Sequence, residues 1–168
     1  MFKMKLSGKV LKFGNDVNTD VILPGKYLTI TDPYELGRHA MEGLDPDFTS
    51  KSAEGVIVVA GRNFGCGSSR EQAPTALKYS NVKCVIAESF ARIFFRNAIN
   101  IGLPVLECPE ISRRVNEGEF IEVYLEEGIV KVPERSLTFQ ASKLPSFILD
   151  IIREGGLIQY LKRQHGNE

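Results

Sequence analysis

The chain has 168 residues, with 21 Lys and Arg against 21 Asp and Glu, so its formal net charge is zero; 43 % of it is hydrophobic and 25 % charged. These are ordinary globular values, which exclude general disorder, and the balanced charge excludes a general electrostatic grip on nucleic acid or on an anionic membrane. The length predicts one domain spanning 1–168. Cys66, Cys84 and Cys108 are an odd, widely spaced set with no CxxC, a poor disulfide or zinc framework that points to a reducing compartment, the cytoplasm. The opening MFKMKLSGKVLKF is too charged for a signal peptide, and no apolar run is long enough for a membrane span.

Residues 5–13 alternate loosely and predict a first strand, broken at Gly14-Asn15-Asp16. The irregular stretch 14–31 is rich in Asn, Asp, Thr, Pro and Gly, and loops of that length are often functional. A helix start follows at Asp32-Pro33-Tyr34-Glu35, with Asp32 as N-cap and Glu35 closing a capping box; the helix runs to about Met41. The polar stretch 44–54 reads as a connection with little to hold it still. Val56-Ile57-Val58-Val59-Ala60 is an unbroken apolar run, the mark of a strand covered on both faces. A glycine-rich turn at 61–67 leads into a helix over 68–79, where Pro74 demands a kink or a later start.

Residues 84–87 predict a second buried strand and 103–106 a third. Between them, 89–100 is an amphipathic helix capped by Ser89, with Phe90, Ile93, Phe94 and Ala98 on its apolar side. This alternation predicts an α/β core with parallel strands. A short helix at 109–116, a hairpin of 120–125 and 129–132 around Glu126-Glu127-Gly128, a helix at 144–154 and further helical turns at 157–164 complete the chain. The predicted architecture is α/β, a β-rich, barrel-like shell around that core.

The most informative stretch is Gly65-Cys66-Gly67-Ser68-Ser69-Arg70-Glu71, between a strand and a helix. Small residues let a ligand approach the backbone, N–H groups at a helix start attract anions, and Arg70 adds a fork suited to a carboxylate. The structural alternative is that Ser68 is an N-cap and Glu71 completes its box. A hydrolase triad needs a histidine, and no motif ties His39 or His165 to Ser68. GxGSSR lacks the third glycine of a dinucleotide fingerprint. Cys66 reads as a small buried residue rather than a nucleophile. Asn15-Asp16-Val17-Asn18-Thr19-Asp20 offers either a cation loop, without the glycine and glutamate of an EF-hand, or a turn satisfied by its own side chains. The aromatics of 89–97 read as core. Residue types alone thus give an anion-binding α/β domain, short of a reaction.

In order along the chain, NDVNTDVILP at 15–24, GCGSSREQ at 65–72, and SFARIF at 89–94 followed by Asn97 and Gly102-Leu103-Pro104 resemble the small subunits of 3-isopropylmalate dehydratase. Those subunits are similar to the swivelling C-terminal domain of aconitases, a β/β/α fold. The resemblance covers roughly 6–132. It implies a hydro-lyase of leucine biosynthesis that converts 2-isopropylmalate to 3-isopropylmalate by dehydration and rehydration. Ser68 would be the base that takes a proton from the carbon beside a carboxylate, its alkoxide stabilised by backbone N–H groups, a helix dipole and a cation. Asp20 would support proton delivery to the leaving hydroxyl, and Ser69 and Arg70 would hold substrate carboxylate.

The same resemblance places Thr29 and Ile30 against the substrate's variable branch. Homoaconitase-like relatives carry an arginine there; its absence suits an isopropyl group, because a buried carboxylate without a partner is costly. Homoaconitase or another malate-type hydro-lyase is the alternative. The resemblance further implies a [4Fe–4S] cluster as Lewis acid, held by a separate large subunit in a heterodimer or heterotetramer, with no metal in this chain. Its small-molecule partner would be a hydroxy-dicarboxylic acid; neither nucleic acid nor membrane is expected. From other classes stand a non-catalytic carboxylate-binding regulatory module and an independent serine hydrolase.

Overall fold

The apolar run Val56–Ala60 is a central strand, β2, and both of its faces are covered. In the computed structural model, which describes residues 4–166, it is one of seven strands in a single mixed sheet. The others are β1 (Lys5–Lys12), β3 (Val82–Ala87), β4 (Val105–Glu107), β5 (Phe120–Tyr124), β6 (Ile129–Val132) and β7 (Leu137–Gln140), in spatial order β4-β3-β2-β1-β5-β6-β7. Pairing is parallel from β4 through to β1 and antiparallel from β1 through β5 and β6 to β7. The α/β half and the β-rich half are therefore continuous, joined at β1 and curled into a half barrel.

Alternation along the strands divides the core in two. Val56, Val58 and Ala60 point to one side with Leu11, Val85 and Val105, under α4 (Gln72–Tyr79), α5 (Arg92–Asn100) and α7 (Ser146–Arg153). Ile57 and Val59 point to the other with Val10, Ile86 and Leu106, closed by α6 (Ile111–Arg114) and by Ile121, Val123 and Val130 of the antiparallel strands. Each buried Val, Leu or Ile contributes about 1.5–3 kcal/mol. The last helix, α8 (Leu157–His165), packs on α7 and α5. Among the described residues no helix is long and apolar enough to cross a membrane.

Several local expectations change. The stretch 14–31 is not irregular throughout: it holds α1 (Thr19–Ile22) and a 3-10 turn at Gly25–Tyr27. Asp32 caps α2 (Pro33–Gly37) as expected, its Oδ1 accepting from the Tyr34 N–H at 3.1 Å, but Glu35 pairs with Arg38 at 3.2 Å instead of closing a box. The helix stops short of Met41, whose N–H donates to the Ile22 carbonyl at 2.7 Å and whose φ is +60°. Residues 44–54 are held: α3 (Phe48–Ser52) buries Phe48 completely, and Asp45 accepts from Lys51 at 2.8 Å. The strand β7 went unpredicted because it is a four-residue edge with one buried side chain, Phe139, and Leu137 half-buried beside it.

Candidate active site

Three parallel strands end side by side, and the loops that leave β1, β2 and β3 emerge on one edge of the sheet, where open α/β sheets collect ligands. The loops keep pairing after the strands end. Asn18 bridges Cys66, and Phe64 bridges Phe90, both in parallel register. The Gly65 N–H donates to the Val17 carbonyl at 2.7 Å, and the Thr19 N–H to the Cys66 carbonyl at 2.9 Å. On the other side the Phe64 N–H donates to the Ser89 carbonyl at 3.0 Å and the Ala91 N–H to the Phe64 carbonyl at 2.9 Å. The glycine-rich loop is thus clamped between two neighbours. Gly65 makes this possible: its φ is +83°, and a Cβ there would stand 2.2 Å from the Phe94 ring.

Beyond Gly67 the Thr19 hydroxyl donates to the Ser68 carbonyl at 2.8 Å, fixing the backbone that carries Ser68 and Ser69. Both serines are exposed, and among the described residues neither hydroxyl has a hydrogen-bond partner. Arg70 turns inward, its side chain only 15 % exposed, and pairs with Asp20, which is 65 % exposed. Its Nη1 also donates to the Leu23 carbonyl at 3.0 Å, so the guanidinium is anchored on α1. The structure therefore brings Ser68, Ser69, Arg70 and Asp20 together from two loops 47 residues apart.

Ser68, Ser69 and Arg70 stand in one wall of a cleft of about 300 Å³, while Asp20 lies behind Arg70, outside the lining. Thr19, Gly67, Ser68, Ser69 and Arg70 line one side; Arg92, Ile93, Phe94 and Asn97 of α5 line the other. Sequence reasoning assigned the aromatics of 89–97 to the core, which holds for Phe94 at 2 % exposure, and set Ile93 on the same apolar side. Ile93 is instead 52 % exposed, and Ser89 caps nothing: its hydroxyl accepts from the Asn63 N–H at 2.8 Å, while α5 starts at Arg92 behind Ala91. The readable signal was position, since α5 opens directly off the carboxyl end of a parallel strand.

Ser68 is not a helix cap either. The helix α4 starts at Gln72, behind Glu71, which removes both the capping box and the dipole of α4 from the serine. Pro74 accounts for the late start, because it then falls within the first turn, where its missing N–H costs nothing. The positive helix end at this cleft belongs to α5, whose first turn has neither a side-chain cap nor an acidic residue. Thr29 and Ile30 lie outside the cleft lining; Thr29 is exposed and Ile30 packs half-buried against the main core.

Of the side chains of 15–20 only Asn18 satisfies its own turn, accepting from the Val21 N–H at 3.2 Å as the cap of α1; Asn15 Oδ1 accepts from the Arg62 N–H at 2.7 Å and Asp16 from Asn63 Nδ2 at 3.1 Å, tying the segment to the loop after β2. No group of three metal-ligating side chains occurs among the described residues. The thiols do not fit an iron–sulfur cluster. Cys84 and Cys108 lie within the second core, where burial pushes the Cys84 thiol far up and that of Cys108 to about 11, and burial also raises that of half-buried Cys66. Cys66 stands apart from them on the cleft loop beside Asn18, so the thiols do not gather at one point. No histidine lines the cleft: His39 stacks on Tyr27 at 3.7 Å and bonds Glu42 at 3.0 Å.

The chain is similar to known proteins along nearly its whole length. A family profile described as the aconitase C-terminal domain matches residues 41–110. The 3-isopropylmalate dehydratase small subunit of Halothermothrix orenii is 57 % identical over 159 residues, covering 95 % of this chain and 96 % of the relative. The isopropylmalate/citramalate isomerase small subunit of Methanocaldococcus jannaschii is 54 % identical, covering 95 % of each. A crystal structure of 3-isopropylmalate dehydratase from the latter organism superposes with a TM-score of 0.91 at 45 % identity, over 96 % of both chains. With identity above half sustained along nearly its whole length, and the same fold beneath it, this chain belongs to the family of 3-isopropylmalate dehydratase small subunits, built on the aconitase C-terminal domain.

Proposed function

We propose that the chain is the small subunit of a hydro-lyase that converts 2-isopropylmalate to 3-isopropylmalate, and that it is active only when a large subunit closes over the cleft. The observation that carries this reading is the cluster itself: an unpartnered Ser68 hydroxyl beside an Arg70 guanidinium that Asp20 and the Leu23 carbonyl hold in place. Ser68 takes the proton from the carbon adjacent to a carboxylate, and the hydroxyl of the neighbouring carbon departs as water. Readdition in the opposite sense completes the isomerisation. A serine base needs its alkoxide stabilised, and the charge of Arg70 with the positive end of α5 supplies that at one cleft. Ser69 and Arg70 hold the adjacent carboxylate, and Asp20 orients Arg70 and supports proton delivery to the leaving hydroxyl.

Thr29 and Ile30 complete the proposal as contacts to the substrate's variable branch. Supporting this, the neighbouring Leu28 carbonyl accepts from Gln72 Nε2 at 3.4 Å, two residues beyond Arg70. The Lewis-acid cluster used by the family is assigned to the large subunit, because the thiols of this chain do not suit one. Three unpaired cysteines fit a reducing compartment, the cytoplasm.

Anaerobic reconstitution with the cluster-bearing large subunit of the same source tests the reading, with 2-isopropylmalate, citramalate and homoaconitate assayed side by side. Turnover of the isopropyl acid requiring both chains is expected. Ser68→Ala should lower kcat about 10³-fold, within the range of a general base, and should change stability by less than about 0.5 kcal/mol because the site is exposed. Full activity of that variant refutes the assignment. If no acid reacts in an assembled complex, the regulatory-module reading replaces it.

A further inference from the structure

The two walls of the cleft differ in how far their cations are already committed. Arg70 is largely buried and is spoken for by Asp20 and by the Leu23 carbonyl. Across the cleft Arg92 lines the opposite wall, is exposed, and has no hydrogen bond, ion pair or ring contact among the described residues. It is also the first residue of α5, so its charge adds to the three first-turn N–H groups that no side chain caps. Beside it, Ile93 leaves half its surface open. Arg92, the uncapped helix end and an exposed aliphatic group border the same cleft as a second arginine and two hydroxyls without partners among the described residues, and Arg92 also borders the two grooves next to it, so the cleft offers two anion-binding poles.

We propose that Arg92 is a substrate-binding residue, taking the carboxylate of the hydroxy-dicarboxylic acid that Ser69 and Arg70 do not hold. This rests on the hydro-lyase reading above and adds to it the residue that places the far end of the substrate. Two carboxylates gripped from opposite walls fix the intervening carbon chain, so that the proton to be removed faces Ser68. An arginine suits this because its planar fork grips a carboxylate through two hydrogen bonds, which a lysine does not reproduce.

The test uses the reconstituted complex with Arg92→Gln and Arg92→Lys, and 2-isopropylmalate beside its two monoamides. The wild-type complex should discriminate against both amides. For R92Q the KM of the diacid should rise about tenfold or more with kcat within about threefold, and discrimination should collapse against one monoamide only. R92K should fall between. An unchanged KM, equal discrimination in wild type and R92Q, or simultaneous loss against both amides overturns the assignment. So does failure of R92Q to co-elute with the large subunit while R92K assembles, which would make Arg92 an assembly contact. Should the wild-type complex turn over none of the acids, the hydro-lyase reading fails; calorimetry of 2-isopropylmalate binding then decides on Arg92, equal Kd values for wild type and R92Q overturning it and a tenfold weaker R92Q supporting it.

Discussion

Replacing Gly65 by alanine should damage fold and cleft together, and the structure gives the size of the effect. A left-handed φ of +83° costs a non-glycine residue about 1 kcal/mol. The added Cβ would lie 2.2 Å from Cγ of Phe94 and 2.4 Å from its Cβ, below any distance real Cβ atoms tolerate. Phe94 cannot swing aside freely: it is 2 % exposed, sits edge-on to Phe64 at 5.3 Å and lies parallel to Phe90 at 6.2 Å. Overpacking of this kind costs about 1–3 kcal/mol more. Gly67→Ala is the internal control, since its φ is +92° but its nearest non-neighbour atom would be 3.5 Å away. Gly65→Ala should therefore lose about 2–4 kcal/mol against about 1 for Gly67→Ala, or roughly 4–16 °C against 2–4 °C in Tm for a chain of this size. Calorimetry of the isolated subunit reads both. Equal losses would show that the Phe94 contact does not limit the loop, and the account of the clamped loop would fall.

Phe48→Ala should cost about 3–5 kcal/mol in urea unfolding, because a fully buried ring in contact with Phe13 at 5.9 Å would leave a cavity; a loss under about 1 kcal/mol would return 44–54 to the loose connection its composition suggests. Arg135, with the Asn116 N–H, holds the Glu119 carboxyl below its usual range, and Lys51 does the same for Asp45. A depressed folded pKa means stability that is present above the unfolded value and lost as pH falls through the folded one, so the urea midpoint should stay level from about pH 7 to 5 and drop below the ordinary carboxylate pKa of about 4. Glu119→Gln should flatten that drop, and a slope as steep as in the wild type would count against the assignment.

What could be read in advance follows the range of the forces involved. The strands β1, β2 and β3 and the hairpin of β5 and β6 were legible because alternation, unbroken apolar runs and a glycine turn are local records of burial. The start of α4 was legible only in part. Pro74 demanded a kink or a later start, while Ser68 to Glu71 has the local form of a capping box; contacts with residues 17–23, nearly fifty positions away in sequence, go with the later start. The same contacts build the cleft, so the local rule fails where the chain gathers the candidate site.

The α5 wall repeats the lesson in the opposite sense. Ile93 falls on the apolar stripe with Phe94 and Ala98, so periodicity assigns it to the core, yet it is left open beside a cation with no partner. A single exposed aliphatic side chain is ordinary on a protein surface, so Ile93 is informative only through its place, in a cleft lining beside Arg92, which has no partner among the described residues. The motif on the glycine loop marked one wall of the cleft. On the other wall Ile93 was hidden by falling on an apolar stripe, and its place becomes legible only when the three strand ends are seen to share one edge.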